Sequence, residues 1–274
     1  MKIIRFLSDD QRVLYGKYDG GQPDCARIID GDIFQDFHVT PEKAKIKHFL
    51  PPVQPSNILA LGLNYRRHAE ETEMDIPEYP ILFMKATGSA IGHREPILLP
   101  AAGPGKVDYE AELAVVIGRS VKNLKASEAM ACVLGYTCAN DVSARDWQLE
   151  KQKGQWIRGK SFDTFCPLGP WLVTKDEIAD PDRLRIRALL NEDSILQDSN
   201  TSNMIHNIAA IISFLSQSMT LLPGTVILTG TPEGVGFTRQ PPLFLKAGDE
   251  IAVEIEGIGR LSNPVIREHL RVDK

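Results

Sequence analysis

No segment of this 274-residue chain is apolar over the length that a bilayer demands, so the sequence offers no helical membrane span. Basic residues are outnumbered, 31 Lys and Arg against 36 Asp and Glu, and they are scattered rather than clustered. The net charge of −5 therefore leaves no stripe for nucleic acid or for an anionic lipid surface, although a local anion site stays open. The four cysteines (Cys25, Cys132, Cys138, Cys166) lack C-x-x-C spacing and sit mostly among apolar neighbours, which reads as reduced, buried thiols. The N-terminus turns acidic at Asp9 and Asp10, too early for a secretory signal, and with the reduced thiols this makes the expected location cytoplasmic. Neither G-x-S-x-G nor His-x-x-x-His occurs, which excludes a serine-hydrolase elbow and a helical zinc pair. Internal repeats and low-complexity tracts are absent as well.

What is present is an ordinary globular composition, 43% hydrophobic and 24% charged. Residues 1–50 hold short apolar pieces split by Asp19-Gly20-Gly21 and Asp30-Gly31, the turn signals of β-hairpins. Pro51-Pro52-Val53-Gln54-Pro55 then reads as a stiff linker. The chain thus divides into a small N-terminal β module, 1–55, and a larger domain, 56–274. In the larger part, strands are expected near 58–63, 81–84, 112–117, 136–141, 171–173, 184–190, 225–228 and 250–255. Helices are expected over 64–74, with Asn64 as N-cap, over 127–134, and over 203–219. Regular strand–helix alternation is missing, which disfavours a doubly wound sheet.

The chemistry concentrates in a few short motifs. In Tyr109-Glu110-Ala111-Glu112-Leu113, strand alternation puts Glu110 and Glu112 on one face, roughly 7 Å apart. Such a pair suits a hard divalent cation, or else forms a solvated polar face. Asp141, at the end of an apolar strand, would complete three oxygen ligands if the strands are in register; alternatively it caps the next turn. His68 and Glu71 are three apart on the first helix, so a carboxylate can orient an imidazole base, or the two decorate a surface. Gly154 to Ser161 meets the formula G-x-x-x-x-G-K-[ST] letter for letter. Its polar lead-in and its Pro-containing sequel lack the strand and helix that nucleotide binding needs, so P-loop-like binding is a remote alternative. Lys160 remains a positive charge to be placed near the carboxylates. Finally, Thr229-Gly230-Thr231-Pro232 leaves a strand through a glycine turn whose N–H groups and Thr231 hydroxyl can hold an oxyanion, unless the turn is structural only.

Together these pieces resemble the fumarylacetoacetate hydrolase superfamily, over about residues 57–265. Gly62-x-Asn64-Tyr65-x-x-His68, Glu110-x-Glu112, Asn140-Asp141-x-Ser143-x-Arg145, Gly159-Lys160-Ser161 and Thr229-Gly230-Thr231-Pro232 stand in the family's order. Segment 144–173, opening with Ala144-Arg145-Asp146-Trp147-Gln148, resembles one branch most closely. The resemblance implies a β-rich α+β fold, a mixed β-barrel or roll, that pairs as a homodimer. It implies that Glu110, Glu112 and Asp141 hold Mg²⁺ or Mn²⁺, that His68 and Glu71 form a dyad on a lid helix, and that Lys160 acts beside them. It also implies that Arg145, Gln148, Gly230 and Thr231 meet the substrate. The implied activity is metal-dependent chemistry on small 2-oxo or 2,4-dioxo acids through a stabilised enolate. C–C hydrolysis of an acylpyruvate comes first; oxaloacetate tautomerisation or decarboxylation and 2-hydroxy-diene-dioate isomerisation are the alternatives.

Overall fold

The computed structural model describes residues 1–20, 24–103, 105–192 and 194–268. The N-terminal apolar pieces become strands β1 (Lys2–Ser8), β2 (Val13–Lys17), β3 (Cys25–Gly31) and β4 (Phe37–Leu50). Beyond them, β5 (Asn57–Gly62) leads through helix α1 (Arg66–Glu71) to β6 (Ile81–Lys85). Short strands β7 (Ala90–Ile91), β8 (Ile97–Leu99) and β9 (Val107–Asp108) precede β10 (Ala111–Ile117). Helix α2 (Ala126–Ala129) precedes β11 (Val133–Asn140) and β12 (Ser143–Ala144), and helix α3 (Ile157–Lys160) precedes β13 (Cys166–Thr174). The remainder is the hairpin β14 (Arg185–Leu190) and β15 (Ser194–Asn200), helix α4 (Ile208–Ser218), β16 (Thr225–Leu228), and the hairpin β17 (Glu250–Ile255) and β18 (Gly259–Arg267). The outcome is the β-rich α+β class.

β1 pairs with β2 and β4, and β3 with the same two, so the first four strands close on themselves as a small barrel-like module. Gly31 turns the chain with a φ of +102°; a Cβ there would strike the Asp36 carbonyl at 2.4 Å, so only glycine fits. The other expected turn falls partly on Gly21, which lies outside the described residues. β1 also pairs with β13, Lys2 opposite Val173, so the module's strands continue into the main sheet. The segment expected as a linker is packed instead. Pro51, Pro52 and Val53 are buried, and Val53 shares a core with Ile3 and Ile58, because apolar side chains beside an apolar sheet face gain from leaving water.

The main sheet runs β2-β3-β4-β1-β13-β11-β10-β16-β5-β6, and a second runs β15-β14-β17-β18-β8. β10 is buried on both faces. Leu113, Val115 and Ile117 point into the core shared with α4 and the second sheet, while Ala114 and Val116 point into the core on the other face. Each fully buried Leu, Val or Ile contributes roughly 1.5–3 kcal/mol, and this apolar surplus offsets the cost of the charges embedded at the sheet's end.

Helix boundaries depart from expectation for local reasons. The first helix is only Arg66–Glu71, and Tyr65 rather than Asn64 is its N-cap residue. Asn64 is diverted: its amide donates to the carbonyls of Thr229 and His206 and accepts from the His206 N–H. The helix expected over 127–134 stops after Ala126–Ala129 and one tight turn, because Val133 enters β11 and pairs with Ile117. The third helix is trimmed to Ile208–Ser218, capped by the Asn207 side chain accepting from Ala210 N–H.

Candidate metal and proton-transfer site

Antiparallel pairing assembles the acids. Ala111 lies opposite Asn140 and Glu112 opposite Ala139, and the Asp141 N–H donates to the Glu110 carbonyl at 2.9 Å, one step beyond the ladder. Residues directly opposite share a face, so Glu110, Glu112 and Asp141 converge. One ligand oxygen from each lies within 4.8 Å of the others, and all three residues are buried. The alternative of a solvated polar face is thereby excluded, with Glu112 only 1% exposed.

Three cations compensate this charge. Lys160 Nζ bridges Glu110 Oε2 and Asp141 Oδ2 at 2.7 Å each. Lys85 Nζ donates to Asp141 Oδ1 and to the Val142 carbonyl. Arg145 donates from Nε to Asp108 Oδ2 at 2.8 Å and from Nη1 to Gln148 Oε1. Its Nη2 stands 2.8 Å from Glu110 Oε1, an ion pair at an angle too poor for a hydrogen bond. Burial opposes the charge of Glu110, yet Lys160 and Arg145 hold its carboxyl well below the usual range. Glu112 is the exception. Among the described residues it makes no salt bridge, and its Oε2 accepts only the Gly230 N–H, at 2.7 Å. Burial first, and then repulsion from Asp141 and Glu110, push its carboxyl well above the ordinary value. Counting Asp108, four buried carboxyl groups face three basic side chains, so the acids outnumber the bases by one in a cluster whose free donors are oxygens. A hard divalent ion fits such a donor set.

The second half of the site is the imidazole. His68 Nδ1 lies 3.1 Å from Glu71 Oε2, and its Nε2 has no hydrogen-bond partner among the described residues. Glu71 Oε1 in turn accepts from the Gly234 N–H at 3.0 Å and the Thr238 hydroxyl at 2.8 Å. Burial works against the Glu71 anion, but His68, Thr238 and Gly234 together lower its pKa. His68, Glu110, Arg145, Gln148, Lys160 and Thr231 line one cavity of about 150 Å³. Glu71, Glu112, Asp141 and Gly230 are not among its lining residues; Glu71 is joined to it through His68, and Asp141 through Lys160.

Several sequence readings change in the structure. The Thr231 hydroxyl is already committed, donating to the Ala111 carbonyl and accepting from Gln197 Nε2, so it braces the turn. Residues 154–161 do not form a phosphate loop: a π-helical turn, Asp146–Lys151, precedes them in place of a strand, and Lys160 is consumed by the acids. Lys85, Asp108, Gln197 and Thr238 were missed. Lys85 alone had a signal, a lysine ending an otherwise apolar strand, Ile81-Leu82-Phe83-Met84-Lys85.

Residues 57–266 match the family described as Fumarylacetoacetate (FAA) hydrolase C-terminal, more than two thirds of the chain. The chain belongs to the fumarylacetoacetate hydrolase family. Within it, the chain is 50% identical over 224 residues to the mitochondrial oxaloacetate tautomerase fahd2 of Xenopus laevis, covering 82% of this chain and 70% of the relative. It is 48% identical over 233 residues to the fumarylacetoacetate hydrolase domain-containing protein 2 homolog of Dictyostelium discoideum, covering 82% and 75%. That is the branch which segment 144–173 resembles. Among solved structures, the 5-carboxymethyl-2-hydroxymuconate delta-isomerase of Mycobacterium smegmatis superposes with a TM-score of 0.85 at 41% identity, over 98% of this chain and all of that one. The family's fold, the expected mixed β roll, is therefore this chain's fold, and the chain is an enzyme of that family. One expectation is overturned: the cytoplasmic location gives way, because the tautomerase relatives are named mitochondrial.

Proposed function

We propose that this member of the family is a Mg²⁺- or Mn²⁺-dependent keto–enol tautomerase of small 2-oxo acids, with oxaloacetate the first substrate to test. The observation that carries the proposal is His68: one ring nitrogen is fixed by Glu71, and the other is unpartnered in the cavity that Lys160, Arg145 and Glu110 line. A divalent ion on Glu110, Glu112 and Asp141 would supply positive charge for an oxygen that becomes anionic during enolisation.

The chain's own residues supply the proton transfers. Glu71 holds the tautomer with the proton on Nδ1, so Nε2 is the basic nitrogen that removes a proton from substrate C3. The imidazolium that forms is stabilised by the Glu71 carboxylate, and Gly234 and Thr238 keep that carboxylate ionised and in place. Two of the three Lys160 protons go to Glu110 and Asp141; the third is directed at the substrate oxygen that gains charge. Gln148 Oε1 is spent on Arg145, which leaves its amide N–H groups as donors for the substrate carboxylate. To complete the interconversion, the enolate oxygen takes up the proton that His68 removed from C3, giving the enol; in the reverse direction the enol hydroxyl gives its proton to His68 Nε2, which delivers it to C3 and regenerates the keto form. The relatives' names favour this reading over C–C hydrolysis, which asks the same His68 to act on water. A second reading, double-bond isomerisation of a hydroxy-diene-dioate, draws on the Mycobacterium smegmatis neighbour and uses the same base at a more distant carbon. A homodimer completes the proposal.

The test strips the protein with a chelator, restores Mg²⁺ or Mn²⁺, and follows enol-oxaloacetate by ultraviolet absorbance beside acetylpyruvate cleavage. Metal-restored loss of the enol signal, abolished in His68→Ala, is the expected result. Cleavage of acetylpyruvate with no acceleration of tautomerisation would replace the proposal by hydrolysis.

A further inference from the structure

The cavity's lining mixes polar side chains, among them Glu110, Arg145, Lys160, Gln148 and His68, with an apolar wall of Leu63, Met74, Phe83, Leu149, Trp156 and Phe237; Phe83 and Phe237 lie beside Lys160 and Arg145, whereas Met74 and Leu149 reach solvent. The aromatic part of that wall is built rather than accidental. The Trp156 ring lies on the backbone of Gly62, where a Cβ would come within 2.3 Å of it, and meets Phe83 edge-to-face at 5.4 Å. The Arg145 guanidinium carbon lies over the Phe237 ring, 4.3 Å from its centre, so the ring covers the cation on that side. At the mouth, Met74 and Leu149 remain 49% and 46% exposed, two large apolar side chains facing solvent beside an apolar cleft.

The charges decide what this apolar wall receives. Each lining cation is already engaged: Arg145 by Asp108, Glu110 and Gln148, and Lys160 by Glu110 and Asp141. A carboxylate at the far end of a substrate would lose its hydration against Trp156, Leu149 and Met74 without gaining a partner. We infer that the part of the cavity lined by Met74, Leu149 and Trp156 is an apolar subsite, and that among 2-oxo acids longer than oxaloacetate the enzyme favours those bearing an apolar group at the end remote from the 2-oxo carboxylate. Oxaloacetate leaves that part unfilled. The inference rests on the proposed function for the placement of the 2-oxo carboxylate, and it narrows the substrate class.

The experiment separates the two. Calorimetric titration of the Mg²⁺-loaded enzyme compares 5-methyl-2-oxohexanoate with 2-oxoglutarate, acids of nearly one shape that end in an isopropyl group or a carboxylate. The branched acid should bind more than about tenfold tighter, the gain from burying two methyl groups. Leu149→Lys, a change at an exposed rim position, should cut that ratio by at least about tenfold by supplying the missing cation. Equal or tighter binding of 2-oxoglutarate to the unaltered enzyme overturns the apolar subsite, even if tautomerisation is confirmed. Absence of turnover on every 2-oxo acid overturns the tautomerase reading, while the binding ratio still decides the subsite.

Discussion

Lys85 and Asp141 form an ion pair with no solvent exposure on either side chain, although 56 residues separate them in the chain. Asp141 is therefore gripped from two sides, by Lys85 from the edge strand β6 and by Lys160 from α3. The pair supplies Asp141, which is fully buried at the end of β11, with charged hydrogen-bond partners in place of water. Removing one partner of such a pair leaves an uncompensated charge, so Lys85→Met should destabilise the fold by about 3 kcal/mol. Urea denaturation of the chelator-treated protein checks this; a loss under about 1 kcal/mol would show that Lys160 alone suffices.

Glu112 stands in the opposite situation, buried among like charges and, among the described residues, with no salt bridge. Glu112→Gln keeps the shape and the Gly230 contact while removing the repulsion, so the metal-free variant should melt higher than the parent, by roughly 2–4 °C for each kcal/mol relieved. The same variant should bind Mn²⁺ at least about tenfold more weakly by calorimetry. A lower melting temperature together with unchanged Mn²⁺ affinity would contradict the ligand assignment.

Thr238 has a single hydroxyl proton within reach of Glu71 Oε1 at 2.8 Å and the Val235 carbonyl at 2.9 Å. The charged acceptor gives the stronger bond, so the proton belongs to Glu71. Thr238→Val should lower kcat about tenfold with little change in KM, and should move the basic pKa in the pH–rate profile. Thr238→Ser should restore both. His68→Ala should cost about 10² to 10⁴ in kcat while leaving Mn²⁺ affinity intact.

His93 predicts how stability responds to acid. Its Nδ1 accepts the Ser262 N–H, which requires a deprotonated nitrogen. Burial, and then the nearby Arg94, lower its pKa from 6.5 to about 4. Between these values the unfolded chain binds a proton that the folded chain refuses. Stability is therefore complete above the unfolded value and falls as pH drops toward the folded one, by up to about 1.4 kcal/mol per pH unit. His93→Gln retains an acceptor and should flatten this slope by nearly one proton when urea midpoints at about pH 7 and about pH 4.5 are compared. An unchanged slope would assign the acid sensitivity to other groups.

Much of the site could be read along the chain because strand periodicity is a local property. Glu110 and Glu112 had to share a face once β10 was extended, and Asn140-Asp141 followed an equally apolar run. His68 and Glu71 needed only one helical turn. The diversion of Asn64 illustrates where such reading stops: its residue type and position favour an N-cap, but two carbonyls from residues 142 and 165 positions away compete for its amide. The burial of Pro51, Pro52 and Val53 was hidden for a related reason, since proline content says nothing about which sheet face lies beside it.

The sequence by itself determined the strand-rich class, the family, and the identity of the acids and of the imidazole, because alternation, turn residues and short motifs act over a few positions. Only the tertiary structure decided that Glu112, alone of the three acids, makes no salt bridge among the described residues, that Lys85 and Asp108 complete the buried charge network, and that the Thr231 hydroxyl donates to the backbone. Such facts depend on which strands become neighbours. Charge compensation and hydrogen-bond competition act through space, between groups whose separation in the chain carries no trace of the contact.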